Sequence, residues 1–264
     1  MVDSHCHLTD ARLIEQIDAV VARAVAAGVE RMVTIGTDPE DWGRCAAVCR
    51  RFGQVRCALG IHPNHATRQS LDQIAALRSA AADPAVVALG EMGLDYFHSL
   101  APRELQVAVF EAQTALAEEM GLPVVIHSRE AVDDCLAVLA RRPRLRAVFH
   151  CFTGTMEEAR RVVGAGHLLG FTGALTFKKS GALREVAAWA PGERILVETD
   201  APYLSPEPLR KQKVNEPALV IHTAAVLAQV RAVSVERIDE ITTRNAEGFF
   251  AWTGGSRSRG GEGV

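Results

Sequence analysis

Residues 123–129 read Pro123-Val124-Val125-Ile126-His127-Ser128-Arg129, an apolar run that stops abruptly in polar, chemically capable side chains. Before it, Arg103–Met120 carries apolar residues at helical spacing and is followed by Gly121, a C-terminal helix signal. After it, Glu130–Arg141 takes up the helical pattern again. A strand without alternation is buried on both faces, as in a parallel sheet covered by helices. The stretch therefore predicts a βα unit rather than a hairpin.

Working outward, the unit recurs. Val2–His7, Arg31–Gly36, Val55–Ile61, Val86–Gly90, Ala147–His150, His167–Phe171 and Ile195–Glu198 are the other strand candidates, which makes eight. Helical segments are expected at Ala11–Ala27, Asp41–Arg51, Leu71–Ala81, Met156–Gly164, Leu183–Trp189, Pro217–Arg231 and Val235–Phe250. Pro39 and Pro102 sit at helix starts, and Gly28 and Gly53 follow helix ends. Eight such units with no composition break predict a single-domain α/β protein, a (β/α)8 TIM barrel over residues 1–252. A doubly wound sheet is the alternative. Residues 253–264, TGGSRSRGGEGV, have almost nothing to bury and are expected to form a disordered tail.

Composition narrows the class. Hydrophobic residues make up 48% and charged residues 23% of the 264 positions, which excludes disordered and fibrous chains. No apolar run approaches the ~20 residues of a membrane span, and the first residues lack the basic and apolar regions of a secretion signal. The six cysteines, at 6, 45, 49, 57, 135 and 151, form no Cys-x-x-Cys pair. Reduced thiols and a cytoplasmic location are expected. With 29 basic against 32 acidic residues the net charge is −3, so a polyanion would be held only by a local basic patch.

The strand ends carry the chemistry. They read Asp3-Ser4-His5-Cys6-His7, Gly60-Ile61-His62-Pro63, Gly90-Glu91-Met92-Gly93-Leu94-Asp95, Ile126-His127-Ser128-Arg129, Phe149-His150-Cys151 and Glu198-Thr199-Asp200. In a parallel barrel all lie on the C-terminal rim, where barrel enzymes build their sites. His5 and His7 are two apart on a strand and share a face. Asp3 has the same parity and is expected to orient a histidine from below. Each residue alone reads as a structural histidine or half of an ion pair. Their joint occurrence at five strand ends points to a metal site built from His5, His7, Glu91, His127, His150 and Asp200. Four imidazoles and two carboxylates exceed the three protein ligands of a mononuclear catalytic zinc. They suit two divalent ions sharing a bridging carboxylate. Mixed imidazole and carboxylate ligation fits zinc, manganese, iron, cobalt or nickel better than an all-oxygen magnesium or calcium cage, and the expectation stays open with zinc, manganese and magnesium as candidates.

The ordered motifs DSHCHL (3–8), GIHP (60–63), GEMGLDY (90–96), IHSR (126–129), HCFTG (150–154), ETDAPYL (198–204), NEP (215–217) and TTRNAEGFF (242–250) make the chain similar to the TatD family. That family comprises metal-dependent deoxyribonucleases among the amidohydrolase-like TIM barrels. The resemblance implies that His5, His7, Glu91 and Asp200 hold one ion and Glu91, His127 and His150 the other, with Glu91 as the bridge. It further implies that His62 and Glu198 act near the substrate phosphate and the attacking water. The chain departs from the family in Phe97-His98-Ser99 after GLDY and in Pro206–Lys213 before NEP, both of which bear on the substrate groove.

The implied reaction is hydrolysis of DNA phosphodiester bonds, 3′-5′ on single strands. Asp200 is placed to take the proton of the water, His62 to donate to the phosphate or leaving group, and Glu198 to support the site. Cations expected on rim loops are Arg129, Lys178, Lys179, Arg210, Lys211 and Lys213. Only 5% of residues are aromatic, with Tyr96, Phe97 and Tyr203 near the rim, so the expected footprint is a few nucleotides at a strand end. The expected protein is a monomer without a membrane partner. Amide or ester hydrolysis by the same centre, as in a D-aminoacyl-tRNA deacylase, is the alternative. Amide-cleaving relatives commonly bridge their metals with a modified lysine at the end of strand 4, where this chain has Glu91 and no lysine before Lys178. A scaffold protein that had lost its chemistry would show decayed ligands, and all six are present.

Overall fold

Eight parallel strands form one sheet in chain order: β1 (Val2–Cys6), β2 (Arg31–Gly36), β3 (Val55–Leu59), β4 (Val86–Asp95), β5 (Val124–Arg129), β6 (Ala147–Phe149), β7 (Leu168–Phe171) and β8 (Ile195–Val197). The computed structural model describes residues 1–252. The sheet returns on itself where Cys6 bridges Ala201, and His7 N–H donates to the Ala201 carbonyl at 2.7 Å. This is the (β/α)8 barrel. The tail expected over 253–264 lies outside the described residues.

Among the described residues, ten helices surround the strands: α1 (Ala11–Ile14), α2 (Ile17–Ala26), α3 (Pro39–Arg51), α4 (Ile74–Ala81), α5 (Arg103–Met120), α6 (Val132–Ala140), α7 (Met156–Gly164), α8 (Gly181–Trp189), α9 (Val220–Val230) and α10 (Val235–Phe249). Their ends follow local chemistry. Asp38 caps α3 by accepting from the Glu40 and Asp41 N–H groups, with Pro39 in the first turn. Thr155 and Glu158 form a reciprocal capping box on α7. Among the described residues, no single helix is long and apolar enough to cross a membrane.

Two apolar layers hold the fold. Helices pack on the outer face of the sheet around Leu59, Leu89, Ile126, Phe149 and Phe171. The lumen holds one or two side chains per strand: Val2, Val33, Ile35, Ala58, Ala88, Val125, Val148, Leu168 and Leu196. Phe249, Phe250 and Trp252 pack with these lumen residues. They sit at the N-terminal side of the strands, leaving the C-terminal mouth for polar side chains.

Period-two alternation carries the lumen face upward to the rim. From Ala58, Val125, Val148 and Leu196 it arrives at His62, His127, His150 and Glu198 with Asp200. In β1 and β4 the parity changes. The β1–β2 register shifts between Asp3 and Cys6, and the β4–β5 register shifts between Leu89 and Met92. Each bulge inserts an extra residue and re-aims the side chains beyond it. His5 and Glu91 thereby face inward although Val2 and Ala88, of opposite parity, also do.

Candidate functional site

The rim encloses a cavity of about 820 Å³ whose lining includes His7, His62, Glu91, Asp95, His98, His127, His150 and Asp200. Glu91 is its hub. One carboxylate oxygen, Oε1, lies 2.7 Å from His127 Nδ1, 2.9 Å from His150 Nε2 and 3.5 Å from His62 Nε2. The other, Oε2, lies 3.6 Å from His5 Nε2. Across from it, His5 Nε2 and His7 Nε2 face each other at 3.3 Å, with Asp200 Oδ1 at 3.7 and 3.4 Å from them.

These spacings suit a cation. With metal–nitrogen bonds of about 2.0–2.1 Å, tetrahedral ligand atoms stand ~3.3–3.4 Å apart, close to the separations among His5, His7 and Asp200. Two imidazole nitrogens share at most one proton between them, and His5 Nδ1 is buried without a hydrogen-bond partner. The donor set His5, His7 and Asp200 and the set His62, Glu91 and His127 each gather within 4.8 Å.

Burial and charge bias the protonation of these groups. Burial works to raise the Glu91 pKa, but the charge of His150 and hydrogen bonds from His127 and His150 hold it well below the ordinary value. Burial opposes a proton on His150, yet Glu91 and Glu198 draw one there and raise its pKa well above normal. Burial lowers the pKa of His5, helped by His150, and burial lowers that of His62. Asp200 is depressed against its own burial by the hydrogen bond from His7.

His62 shares that cluster, but its proton is assigned by a neighbour. The Asn64 N–H donates to His62 Nδ1 at 3.1 Å. A neutral imidazole that accepts at Nδ1 carries its proton on Nε2. His62 therefore points a donor, not a lone pair, towards Glu91 and the cavity. Glu198 supports the opposite wall. Its Oε1 accepts from the Cys151 N–H at 2.5 Å and lies 3.4 Å from His150 Nδ1, out of line for a hydrogen bond. Its Oε2 accepts from Ser4 Oγ at 3.1 Å. A Cβ on Gly170 of β7 would stand 2.6 Å from Glu198 Oε2, so only glycine leaves room for this carboxylate.

Asp200 occupies the left-handed region with φ of 55°, unusual outside glycine and frequent at functional sites. Its neighbours hold it there. Asp3 accepts from the Thr199 N–H at 2.9 Å and from the Thr199 hydroxyl at 2.6 Å. The Asn215 amide, from the NEP motif, donates to the Thr199 and Tyr203 carbonyls at 2.9 and 2.6 Å. This corrects the expectation for Asp3, which orients no histidine ring. The bulge after it turns His5 the other way, and Asp3 ties β1 to the segment carrying Asp200. Its burial raises the Asp3 pKa to about 8, against the hydrogen bonds from Thr199.

The expected cations divide. Arg129 lines the cavity and stacks over the exposed ring of Phe97 at 5.4 Å. It also lines an adjoining groove of about 640 Å³, together with Phe97, Phe177 and Lys179. Arg210 lies over Phe177 at 3.7 Å and so borders that groove. Lys178, Lys211 and Lys213 are exposed on rim loops outside both linings.

Asn64, Asp95 and His98 are cavity residues to which the sequence pattern assigns no role. Asp95 belongs to a quoted motif, and its separation from Glu91 by four residues carries the signal. Ending the strand at Gly90 hides it, because β4 runs on to Asp95 and puts both acids on one face.

The TatD-related DNase model matches residues 2–251. The 3′-5′ ssDNA/RNA exonuclease TatD of Erwinia billingiae is 38% identical over 257 residues, covering 95% of this chain and 98% of that protein. The metal-dependent hydrolase YabD of Bacillus subtilis is 36% identical over 252 residues, covering 95% and 98%. The crystal structure of YJJV, a TatD homologue of Escherichia coli, superposes with a TM-score of 0.88 at 30% identity, covering 95% of this chain and 98% of that one. A barrel whose rim gathers these acids and imidazoles, and whose whole length matches such relatives, is a metal-dependent hydrolase acting on nucleic acid, and the chain belongs to the TatD-related DNase family.

Proposed function

We propose that the protein is a 3′-5′ exonuclease of single-stranded DNA or RNA working with two divalent ions. The observation that carries this reading is the placement of Glu91, whose two oxygens face two different donor sets. His5, His7, Asp200 and Glu91 Oε2 would hold one ion. His127, His150 and Glu91 Oε1 would hold the other, with zinc, manganese and magnesium the candidates. Bound there, the pair would make an attacking water more acidic and would offset charge on the attacking and leaving oxygens.

The remaining steps belong to the chain. Asp200, kept ionised at neutral pH by a pKa below the ordinary value, orients the attacking water and takes its proton. His62 donates from Nε2 to a phosphate oxygen or to the departing alkoxide. Glu198 fixes the β6 turn at Cys151 and backs His150. Arg129 and Arg210 neutralise phosphates beyond the reacting one, and Phe97 and Tyr203, about half exposed at 58% and 48%, offer faces for bases. The names of the Erwinia and related exonucleases support nucleic acid over the amide- or ester-cleaving alternative. Six free cysteines, five of them buried, support a cytoplasmic location with reduced thiols.

The test is digestion of 3′- and 5′-labelled single-stranded and duplex oligonucleotides with magnesium, manganese and zinc supplied separately, alongside metal analysis. Two ions per chain and shortening from the 3′ end of single strands are expected. Release from 5′ ends, or one ion per active chain, would overturn the corresponding half of the proposal.

A further inference from the structure

Asp95 is fully buried, and its carboxylate is surrounded by donors and imidazole ring nitrogens. Its Oδ2 lies 3.1 Å from His127 Nε2, 2.8 Å from His98 Nδ1 and 3.1 Å from Asn64 Nδ2. Its Oδ1 accepts from the His98 N–H at 2.8 Å. The backbone beneath is pinned by Gln106 of α5, which accepts from the Asp95 N–H at 2.8 Å and donates to the Asp95 carbonyl at 3.2 Å. We propose that Asp95 is a positioning residue: its Oδ2 keeps a proton on Nε2 of His127 and so presents Nδ1, as a lone pair, to the centre built around Glu91.

The inference rests on the reading of His127 as a ligand and on imidazole chemistry. A neutral ring has one proton for two nitrogens, so whichever nitrogen donates fixes the other as the lone pair. His127 stands between two carboxylates, Glu91 at Nδ1 and Asp95 at Nε2. When a cation takes the Glu91 side, only the Asp95 side can retain the proton. The same Oδ2 binds His98, which is 52% exposed by its side chain and lines the cavity mouth. One buried oxygen therefore joins a rim histidine to a histidine of the centre, and Asn64 links this oxygen to the loop that holds His62.

The experiment uses the full chain labelled with 15N-histidine, with zinc as the probe. In zinc-loaded wild type, His127 should keep its proton on Nε2 while Nδ1 shows a metal-bound shift. Asp95→Ala should weaken one of the two zinc ions by ~10–100-fold and lose the Nε2–H signal. Asp95→Asn can still turn an oxygen to His127, so it should keep the signal and lose less affinity. If Asp95→Ala fails to fold, the wild-type and Asp95→Asn spectra still decide. A loaded wild type with the His127 proton on Nδ1, or a folded Asp95→Ala that binds zinc as wild type does, overturns the inference. Wild type that binds no zinc defeats the metal reading instead. The zinc-free spectrum then tests Asp95 alone, through an exchange-protected His127 Nε2–H whose absence counts against it.

Discussion

The rings of His5 and His150 lie face to face, centroids 3.8 Å apart and planes 12° from parallel, although one comes from β1 and the other from the end of β6. Two imidazolium rings in that arrangement repel. Glu91 and Glu198 draw the proton to His150, and burial together with that charge keeps His5 neutral. The metal-free site is thus a set of acids and rings balanced by unevenly shared protons. Divalent ions would replace those protons.

That balance makes Glu91 the most sensitive position. Glu91→Gln keeps the shape but removes the charge that faces both donor sets. Loss of at least one ion and of several orders of magnitude in activity is expected, read by metal analysis and oligonucleotide cleavage. Two bound ions with full activity would remove Glu91 from the bridging role.

His62 should behave differently. Because Asn64 leaves its proton on Nε2, His62 is expected to act on substrate rather than on an ion. His62→Gln should leave metal content unchanged and lower kcat by ~10²–10³-fold, the usual range for a lost hydrogen-bond donor to developing charge. KM should move little, since the donor matters most as charge develops. A variant that loses an ion would make His62 a ligand.

His167 gives a stability prediction away from the centre. It lies just before β7, 7% exposed, with its ring 6.1 Å from that of Phe149. Burial first, then the charge of Arg194, lowers its pKa from 6.5 to about 4. The unfolded chain therefore takes up a proton at this site between pH 6.5 and 4 while the folded chain does not. Stability contributed by the neutral ring is complete above pH 6.5 and falls as pH drops towards 4, by at most ~3–4 kcal/mol at 1.36 kcal/mol per pKa unit. Urea unfolding of wild type and His167→Gln at pH 7.5 and 4.5 checks this. The variant should lose less stability on acidification, and parallel losses would remove His167 from the account.

Much of the fold and of the site is legible in the chain. Continuous apolar runs closed by polar residues set the strands, and β2, α5 and α7 begin and end where the pattern places them. The bulges in β1 and β4 are not legible, because one extra residue leaves no mark in a run without alternation. Hence the pattern pairs Asp3 with a histidine rather than with Thr199, and it ends β4 at Gly90 rather than at Asp95. The segment 11–27 reads as one amphipathic helix but breaks at Glu15-Gln16 into α1 and α2. Glu15 and Gln16 both favour helix, so propensity does not account for that break. Asn64 and His98 reach the centre only because loops after β3 and β4 meet over it, a closeness that no spacing records.

The rim cations separate a nucleic-acid site from a small-molecule site. Arg210 packs on Phe177 at the border of the second groove, whereas Lys211 and Lys213 stand outside it. Replacing all three with glutamine should raise KM for a single-stranded oligonucleotide with little change in kcat, since such contacts exist equally in ground and transition states. Arg210→Gln alone should account for most of that loss. Each phosphate contact removed should lower the log–log salt slope by ~0.7 for a single strand. Turnover of bis-p-nitrophenyl phosphate should stay near wild type, because it reaches only the centre around Glu91. Arg129 is the contrast: it lines the catalytic cavity itself, so Arg129→Gln should slow both substrates. Equal losses on the oligonucleotide and the small ester in the triple variant would mean that the loop carrying Arg210 supports the fold or the centre. The path of the strand would then have to run over another part of the rim.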